Sequence, residues 1–246
     1  SQSLVSDGSL TFSSSNNNVV STSNSSATIK GAGSVNITVS QSETSNYNSS
    51  TSSFTITVNK IDPTITFNSL TKTYGDTNFN LVATSSSTGA FTFNIIDANV
   101  ATVTGSNTTI VGAGTTTVTV TQAANSNYNA ATATMTLTVN KADHTITFDD
   151  LTKTYEDPDF NLVATSSSTG AFTFSILDVN VATVVGSNTT IVGAGTTTVT
   201  VTQAADSNYN AATATMTLTV NKADPSIIFN DVIATYGQVD FDLTST

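Results

Sequence analysis

Carboxylates crowd residues 141–160 more densely than any other stretch of the chain. Calcium takes about six to eight oxygen ligands from carboxylates, carbonyls and water, so this stretch is a candidate cation site. The copy of it that lies 81 residues earlier has Asn, Ser or Gly at four of the six acidic positions. We therefore favour solubilising charge, with calcium as the alternative. The candidate ligands are Asp143, Asp149, Asp150, Glu156, Asp157 and Asp159.

Acid–base and nucleophilic chemistry has few candidate residues here. The single imidazole is His144, which stands where neighbouring copies have Pro63 and Pro225, and the sequence contains no Cys. Such catalysis needs a base held against a nucleophile, and no Ser–His–Asp set can recur between copies. We expect no catalytic residues and no cofactor, and we interpret His144 as a solvated linker residue.

Two lysines, Lys72 and Lys153, occupy equivalent positions within a Thr-Lys-Thr-Tyr sequence. Each is a candidate for an isopeptide bond to a buried Asp or Asn. Because Lys is rarely buried, we expect surface lysines whose aliphatic stems lie along the protein.

Composition excludes several partners. The 246 residues carry a net charge of -11 with only 9% charged residues, so the cationic surface that nucleic acids require is absent. No apolar run approaches the roughly 20 residues of a membrane-spanning helix. Polar character comes from Ser, Thr and Asn, and abundant Thr, Val and Ile favour β-strands.

An internal repeat of 81 residues organises the chain. Residues 60–140 and 141–221 differ at twelve positions, which leaves 69 of 81 identical. Residues 1–59 align without gaps onto 82–140, and residues 222–246 align onto 60–84. We therefore predict a partial repeat over 1–59, complete repeats over 60–140 and 141–221, and the opening strands of a further repeat over 222–246.

Within a repeat the hydrophobic period is two, as in strands with one buried face. Seven short strands separated by turn residues predict an all-β fold of tandem immunoglobulin-like sandwiches. The predicted strands lie near 64–67, 79–84, 91–95, 100–104, 108–111, 115–122 and 131–139. We interpret Gly112-Ala113-Gly114 as a tight connection, since phosphate binding would need a following helix.

Alternation also predicts which side chains face the core, and we expect Tyr128 to cover the sandwich end while its hydroxyl reaches a backbone partner. The predicted inward residues of the first complete repeat are Ile65, Phe67, Leu81, Phe91, Phe93, Ile95, Val103, Ile110, Val118, Val120, Met135, Leu137 and Val139.

Five segments of the repeat carry a resemblance to known repeat families. The strings Ile65-Thr66-Phe67 and Leu70-Thr71-Lys72-Thr73-Tyr74-Gly75-Asp76 resemble the opening of the MBG (YGX-type) repeats of Bacteroidetes surface proteins. The run 110–120, and Asn127-Tyr128-Asn129 with the closing Val139-Asn140-Lys141, resemble the wider group of bacterial Ig-like repeats. The Tyr-Gly pair becomes Tyr155-Glu156 in the next copy. The resemblance implies an extracellular or cell-surface array in a large adhesin. A giant gliding-motility adhesin is one candidate for the protein that contains the array. It supplies no catalytic residues.

These observations favour a stalk or spacer that projects a binding tip, with neighbouring repeats of the same chain as partners. An alternative is that the repeats themselves bind a host, substratum or glycan surface through avidity. A second alternative follows from the chain ends, where strands 226–229 and 241–244 would complete the first sandwich of another molecule in a filament. We favour a segment of a longer array, because fragments left alone would expose Phe12, Phe229 and Phe241.

Overall fold

The computed structural model describes residues 7–229 and 231–239, which form strands, turns and loops and contain no helix. The chain divides into two compact units, Ser1–Asn140 and Lys141–Thr246. This division falls between the two complete copies of the repeat. The fold class is all-β, as the period-two segments predict.

The partial repeat at the start of the first unit forms five strands. Strand β4 lies between β1 and β5 in an antiparallel sheet, and β2 pairs with β3. Val20 packs with Val35 and Ile37 in a small buried cluster between these elements. The bounds are β1 Leu10–Ser14, β2 Val20–Ser23, β3 Ser26–Ile29, β4 Gly33–Gln41 and β5 Ser50–Val58.

The complete repeat 60–140 is a sandwich of nine short strands. Its larger sheet has the order β10-β13-β14-β7, and the opposite layer contains the sheets β11-β12-β8 and β6-β9. The bounds are β6 Ile65–Thr66, β7 Leu70–Thr73, β8 Phe79–Asn80, β9 Thr84–Ser85, β10 Phe91–Ile95, β11 Ala101–Thr104, β12 Asn107–Ile110, β13 Gly114–Gln122 and β14 Ala131–Asn140.

Nine strands replace the predicted seven because one predicted strand is divided and one further strand was not predicted. The predicted strand 79–84 becomes β8 and β9, separated by the buried Leu81. The predicted strand 64–67 corresponds to β6, which pairs antiparallel with β9, and the strand that the prediction missed, β7, follows it and pairs in parallel with β14. The first strand of the repeat thus crosses from one sheet to the other, as in immunoglobulin-like sandwiches.

The second unit repeats this arrangement over residues 141–221, with the larger sheet in the order β16-β23-β22-β19. The bounds are β15 Ile146–Thr147, β16 Leu151–Thr154, β17 Phe160–Asn161, β18 Thr165–Ser166, β19 Phe172–Ile176, β20 Ala182–Val185, β21 Asn188–Ile191, β22 Gly195–Gln203 and β23 Ala212–Asn221.

The core of each complete repeat follows the predicted alternation. Buried predicted residues of the first copy are Leu81, Val118, Val120, Met135, Leu137 and Val139. Other predicted residues are half-buried, and most of them pack against this cluster: Phe67, Phe93, Ile95, Val103 and Ile110, with Ile65 and Phe91 half-buried as well. Prediction missed Val100, Ala101, Thr108 and Gln122, which are all buried.

Residues 222–229 and 231–239 form no strand, so the expected strand at 226–229 is absent. The reason is that the counterparts of these segments pair within a complete sandwich, β7 with the last strand and β6 with β9. Phe229 is exposed as expected, whereas Phe12 is half-buried against the first cluster. Phe241 and the predicted strand 241–244 lie outside the described residues.

Candidate interaction surfaces at the repeat ends

The acidic candidates of residues 141–160 lie on different elements of the second unit. Asp143 Oδ1 accepts a hydrogen bond from Asn210 Nδ2 at 2.7 Å. Asp150 Oδ1 accepts one from the backbone N–H of Thr217 on β23 at 2.6 Å. These two carboxylates therefore connect the start of the repeat to its final segment.

Two further candidates also have protein partners. Asp157 Oδ2 accepts from the backbone N–H of Thr154 at 2.8 Å, and Asp159 Oδ2 accepts from Thr190 Oγ1 at 3.0 Å. Asp149 is exposed. Within residues 7–229 and 231–239, no group of three or more His, Asp or Glu side chains is placed to hold a metal ion. The carboxylates are dispersed, and calcium binding remains to be tested.

Glu156, the sixth candidate, lies in the turn that follows β16. Its backbone has a left-handed φ of 75°, whereas the equivalent Gly75 has a φ of 88°. A side chain with a Cβ is strained in this region and glycine is not. The turn therefore tolerates Glu156 at some conformational cost, and the side chain is exposed.

His144 lies against the sandwich, so its interpretation as a solvated linker residue is wrong. Its Nε2 is 2.8 Å from Gln203 Oε1, and its ring meets the Tyr209 ring edge-on at a centroid distance of 5.3 Å. Gln203 Nε2 already donates to the carbonyls of Ser168 and Gly170. Gln203 Oε1 is therefore an acceptor, and the network assigns the donated proton to His144 Nε2.

The two candidate isopeptide lysines contact aromatic rings. Lys72 Nζ lies 4.9 Å from the centroid of Phe79, and Lys153 Nζ lies 4.8 Å from that of Phe160. Both lysines are half-buried, as expected for a long side chain that lies along the protein and stacks its cation on a ring. An isopeptide bond would instead require the amine to lie against a carboxyl or amide carbon.

A buried glutamine organises one end of each complete sandwich. Gln122 is fully buried at the end of β13, where Oε1 accepts from Ser85 Oγ at 2.6 Å. Its Nε2 donates to the carbonyls of Ser87 and Gly89, both at 3.0 Å. The amide oxygen and both N–H groups of Gln122 therefore have hydrogen-bond partners, and a polar side chain can be buried at low cost when its groups are paired in this way.

The loop of residues 125–129, named here the Asn-Tyr loop, closes on itself. Asn125 Oδ1 accepts from the backbone N–H groups of Asn127 and Tyr128, both at 2.9 Å. Ile61 forms a parallel bridge with Tyr128: its N–H donates to Asn127 O, and its carbonyl accepts from Asn129 N–H at 3.0 Å. The start of the repeat is thereby attached to this loop. The backbone partner of the Tyr128 hydroxyl remains a prediction.

The same loop also contacts the preceding sandwich within the first unit. Asn127 Oδ1 accepts from the backbone N–H of Ala32 at 2.8 Å. A Cβ at Gly31 would lie 3.0 Å from this oxygen and 2.9 Å from the carbonyl of Asn18. Glycine at position 31 therefore permits the close approach, and the Gly-Ala pair of one sandwich is a contact point for the Asn-Tyr loop of the next.

In the second unit the Asn-Tyr loop carries Asp206 in place of Asn125. The backbone N–H of Thr169 and those of Asn208 and Tyr209 donate to its carboxylate, and these bonds hold the pKa of Asp206 well below its usual range. Hydrogen bonds to a carboxylate stabilise its charged form. The backbone N–H groups of the loop thus donate to a carboxylate in this copy and to a side-chain amide oxygen in the other.

An open groove of about 350 Å³ lies at the end of the second unit. It combines the Gly-Ala pair of this sandwich with the residues that follow its last strand. Tyr155 contributes the aromatic wall and is 40% exposed. The lining residues are Tyr155, Val192, Gly193, Ala194, Lys222 and Ala223.

No protein-family model and no curated protein sequence matches the chain. Solved structures with a partly similar arrangement include Drosophila N-cadherin EC1-3, with 10% identity and a TM-score of 0.35, covering 90% of this chain and 92% of that one. The S-layer protein rSbsC has 16% identity and a TM-score of 0.29, covering 92% of this chain and 37% of that one.

A third similar structure is a SusE-like surface-located polysaccharide-binding protein from Bacteroides thetaiotaomicron. It has 11% identity and a TM-score of 0.25, covering 88% of this chain and 56% of that one. Scores at this level assign neither a family nor a function. Among the described residues, no helix has the length and apolarity to cross a membrane.

Proposed function

We propose that these repeats are a non-enzymatic spacer segment of a large extracellular bacterial adhesin or surface filament, which projects a binding tip from the cell. The resemblance of their motifs to MBG-type repeats supports the surface location. Their near-identity supports a role that requires length, because a stack of equal domains extends a chain without any further specialised site.

The pairing of the first and last strands carries the proposal. Strand β7 pairs in parallel with β14, from Leu70 opposite Leu137 to Thr73 opposite Asn140. Parallel neighbours place the entry of the repeat at one end of the sandwich and its exit at the other. Tension on the chain therefore loads all the β7–β14 hydrogen bonds together in shear, which is the geometry expected of a segment that transmits force.

The contact between sandwiches in the first unit also supports a spacer. Ala32 donates to Asn127 Oδ1, and Ile61 binds the loop that contains Asn127. The link between the two sandwiches is thus bonded to the following domain. A linker that is held in this way has little free length, which favours extension over collapse.

Single-molecule stretching of the full chain tests this proposal. Each complete repeat should unfold in one step that releases about 240 Å, from 81 residues at about 3.5 Å each less a folded length of about 40 Å. Lys72→Pro in β7 should lower the unfolding force of the repeat 60–140, because the N–H groups of alternate residues face β14, as that of Tyr74 does, and proline removes one of them. Thr102→Pro in β11 is the matched control outside that pair. Equal forces in both variants would contradict the proposal.

A second candidate function is direct binding of a glycan or other surface. The supporting feature is the half-exposed ring of Tyr155 beside the groove, since aromatic side chains commonly anchor such ligands. A glycan array probed with the full chain and with Tyr155→Ala tests it. Binding that the variant loses would support this function in place of the spacer role.

A further inference from the structure

A serine hydroxyl lies against the buried glutamine amide in each complete repeat. In the repeat 141–221, Ser166 Oγ is 2.6 Å from Oε1 of the fully buried Gln203. In the repeat 60–140, Ser85 and Gln122 have the same separation of 2.6 Å. Because a carbonyl bond is about 1.2 Å long, the serine oxygen lies about 3–4 Å from the amide carbon. This distance is close to the one from which a nucleophile attacks a carbonyl group.

The serine oxygen is held in place by its own backbone. The N–H of Ser168 donates to Ser166 Oγ at 3.1 Å, and that of Ser87 donates to Ser85 Oγ at 3.0 Å. A hydroxyl oxygen has two lone pairs. One of them is therefore engaged by the backbone, and the other is available to the neighbouring amide carbon.

The two repeats differ in what else contacts the amide oxygen. His144 Nε2 lies 2.8 Å from Gln203 Oε1, whereas the equivalent residue of the other repeat is Pro63, which has no N–H to donate. Among the described residues, Gln203 Oε1 thus has two donors and Gln122 Oε1 has one. A donor directed at a carbonyl oxygen stabilises the negative charge that develops there when the carbon is attacked.

The imidazole of His144 has the tautomer that this role requires. Its Nδ1 is buried and has no hydrogen-bond partner in the described part of the chain. A buried N–H without an acceptor is unfavourable, so the ring proton belongs on Nε2, where it faces the amide oxygen. The Tyr209 ring contacts the imidazole edge-on at a centroid distance of 5.3 Å. The donor is therefore held in position.

The nitrogen of the same amide is also bound by protein groups. Gln203 Nε2 donates to the carbonyl of Ser168 at 3.0 Å and to that of Gly170 at 2.9 Å. These two acceptors can hold the nitrogen as it gains a further hydrogen and departs as ammonia. The amide of Gln203 therefore has a nucleophile beside its carbon, a donor on its oxygen and acceptors on its nitrogen.

We propose that the repeat 141–221 cross-links itself through an ester bond between Ser166 Oγ and Cδ of Gln203, with His144 as the catalytic residue. Ser166 Oγ forms a bond to Cδ while its proton passes to Oε1, and the N–H of His144 stabilises the resulting tetrahedral centre. The proton then moves to Nε2, the C–N bond breaks with its electron pair on nitrogen, and the C=O bond re-forms. Ammonia is the only product released, and no co-reactant is needed.

The ester would change the mechanical response of one repeat and not of the other. Ser166 and Gln203 are 37 residues apart, so at about 3.5 Å per residue the closed loop withholds about 120 Å of chain. A cross-linked repeat 141–221 should therefore release about half the length that an unlinked repeat releases in stretching experiments. The ester does not rest on the spacer function, and a chain without it would leave that proposal standing.

Intact-mass measurement of the full chain tests the ester. The wild-type chain of 25.3 kDa should lose about 17 Da, the mass of ammonia, during incubation at neutral pH. Ser166→Ala removes the nucleophile and should keep its full mass. Ser85→Ala is the matched control, because it removes the equivalent hydroxyl from the repeat that lacks the imidazole, and it should lose the same mass as wild type.

Exchange of the residues at positions 63 and 144 tests the role of the imidazole. His144→Pro installs the residue of the neighbouring copies and should slow the loss of ammonia about tenfold or more, because the donor to the oxyanion is gone. Pro63→His should introduce a second loss of about 17 Da, from Ser85 and Gln122. Both variants keep the hydroxyl and the amide. A loss of ammonia at the wild-type rate in His144→Pro would overturn the catalytic assignment.

Peptide mapping identifies the bond. Chymotrypsin cleaves after Phe172 and Phe174, which lie between the two linked residues, so the peptides that contain Ser166 and Gln203 should remain joined after digestion. Mild alkali should separate them and leave a carboxylate at position 203. Separate peptides in the wild-type digest would overturn the proposal, as would a loss of ammonia that persists in Ser166→Ala or a wild-type chain that keeps its full mass for several days.

Discussion

Asn125 and Asp206 occupy the same loop position 81 residues apart and reverse the direction of a hydrogen bond. Asn125 Nδ2 donates to Ser87 Oγ at 3.1 Å, whereas Asp206 Oδ2 accepts from Ser168 Oγ at 3.0 Å. The serine hydroxyl can serve either neighbour because it both donates and accepts. One substitution thus replaces a neutral loop with a charged one while the backbone bonds are kept.

The charged loop predicts a difference in acid sensitivity between the repeats. The pKa of Asp206 is held below its ordinary value of 3.8, so the carboxylate stabilises the fold above about pH 4, and this contribution is lost as the pH falls further. Asp206→Asn should make the thermal midpoint of the repeat 141–221 less dependent on pH between about pH 4 and pH 2, measured by calorimetry.

The reciprocal change is the matched control for this prediction. Asn125→Asp should introduce the same acid dependence into the repeat 60–140, since the N–H groups of Asn127 and Tyr128 are already in place. Other carboxylates titrate equally in wild type and variant, so the difference between them isolates this loop. If the two variants changed the pH profile in the same direction, the assignment would be wrong.

The buried amide of Gln122 should be expensive to remove. Gln122→Leu leaves Ser85 Oγ and the carbonyls of Ser87 and Gly89 without their present partner, and unpaired buried groups cost about 1–3 kcal/mol each. We expect the free energy of unfolding to fall by about 2–4 kcal/mol in urea titrations. Thr121→Leu on the exposed face is the control and should change it by less than about 1 kcal/mol.

The two faces of the last strand should respond differently to truncation. Leu137 is fully buried on β14, and Thr136 beside it is exposed. Leu137→Ala should lower the free energy of unfolding by about 2–5 kcal/mol through lost burial and a residual cavity. Thr136→Ala should lower it by less than about 1 kcal/mol. Chemical denaturation measures both, and equal losses would contradict the assignment of the faces.

Metal dependence provides a fourth test. Four of the six acidic candidates already accept hydrogen bonds from protein groups on separate elements. We therefore predict that EDTA leaves the thermal midpoint unchanged and that added calcium gives no heat of binding in calorimetry. A rise of several degrees with calcium that disappears in Asp149→Asn would instead establish a cation site in this stretch.

Much of the fold could be predicted because it depends on local alternation. Val118 and Leu137 are buried where the period of two places them. The same pattern extends to Gln122, two residues beyond Val120, so a glutamine at an inward position was the available sign of a buried polar site. The amphipathic period identifies such a position, but it does not identify the groups that satisfy the amide.

The missed features depend on contacts between distant parts of the chain. Strand β7 pairs with residues 67 positions later, and its short polar sequence shows no clear alternation. His144 meets Gln203 and Tyr209, which follow it by 59 and 65 residues. Because His144 replaces a proline of the neighbouring copies, the sequence indicated an exposed and variable position. The folded sandwich brings Gln203 and Tyr209 against the imidazole, so the side chain is partly covered.

The parallel pairing of β7 with β14 has a consequence for how the chain folds during synthesis. The opening strand must wait until the last strand of its repeat has been made, and in the next copy an identical Leu-Thr-Lys-Thr follows an identical last strand. Neither strand can recognise its proper partner by side-chain complementarity. Correct assembly therefore depends on the order in which the segments leave the ribosome, and refolding of the complete chain from denaturant is the condition in which neighbours can exchange strands.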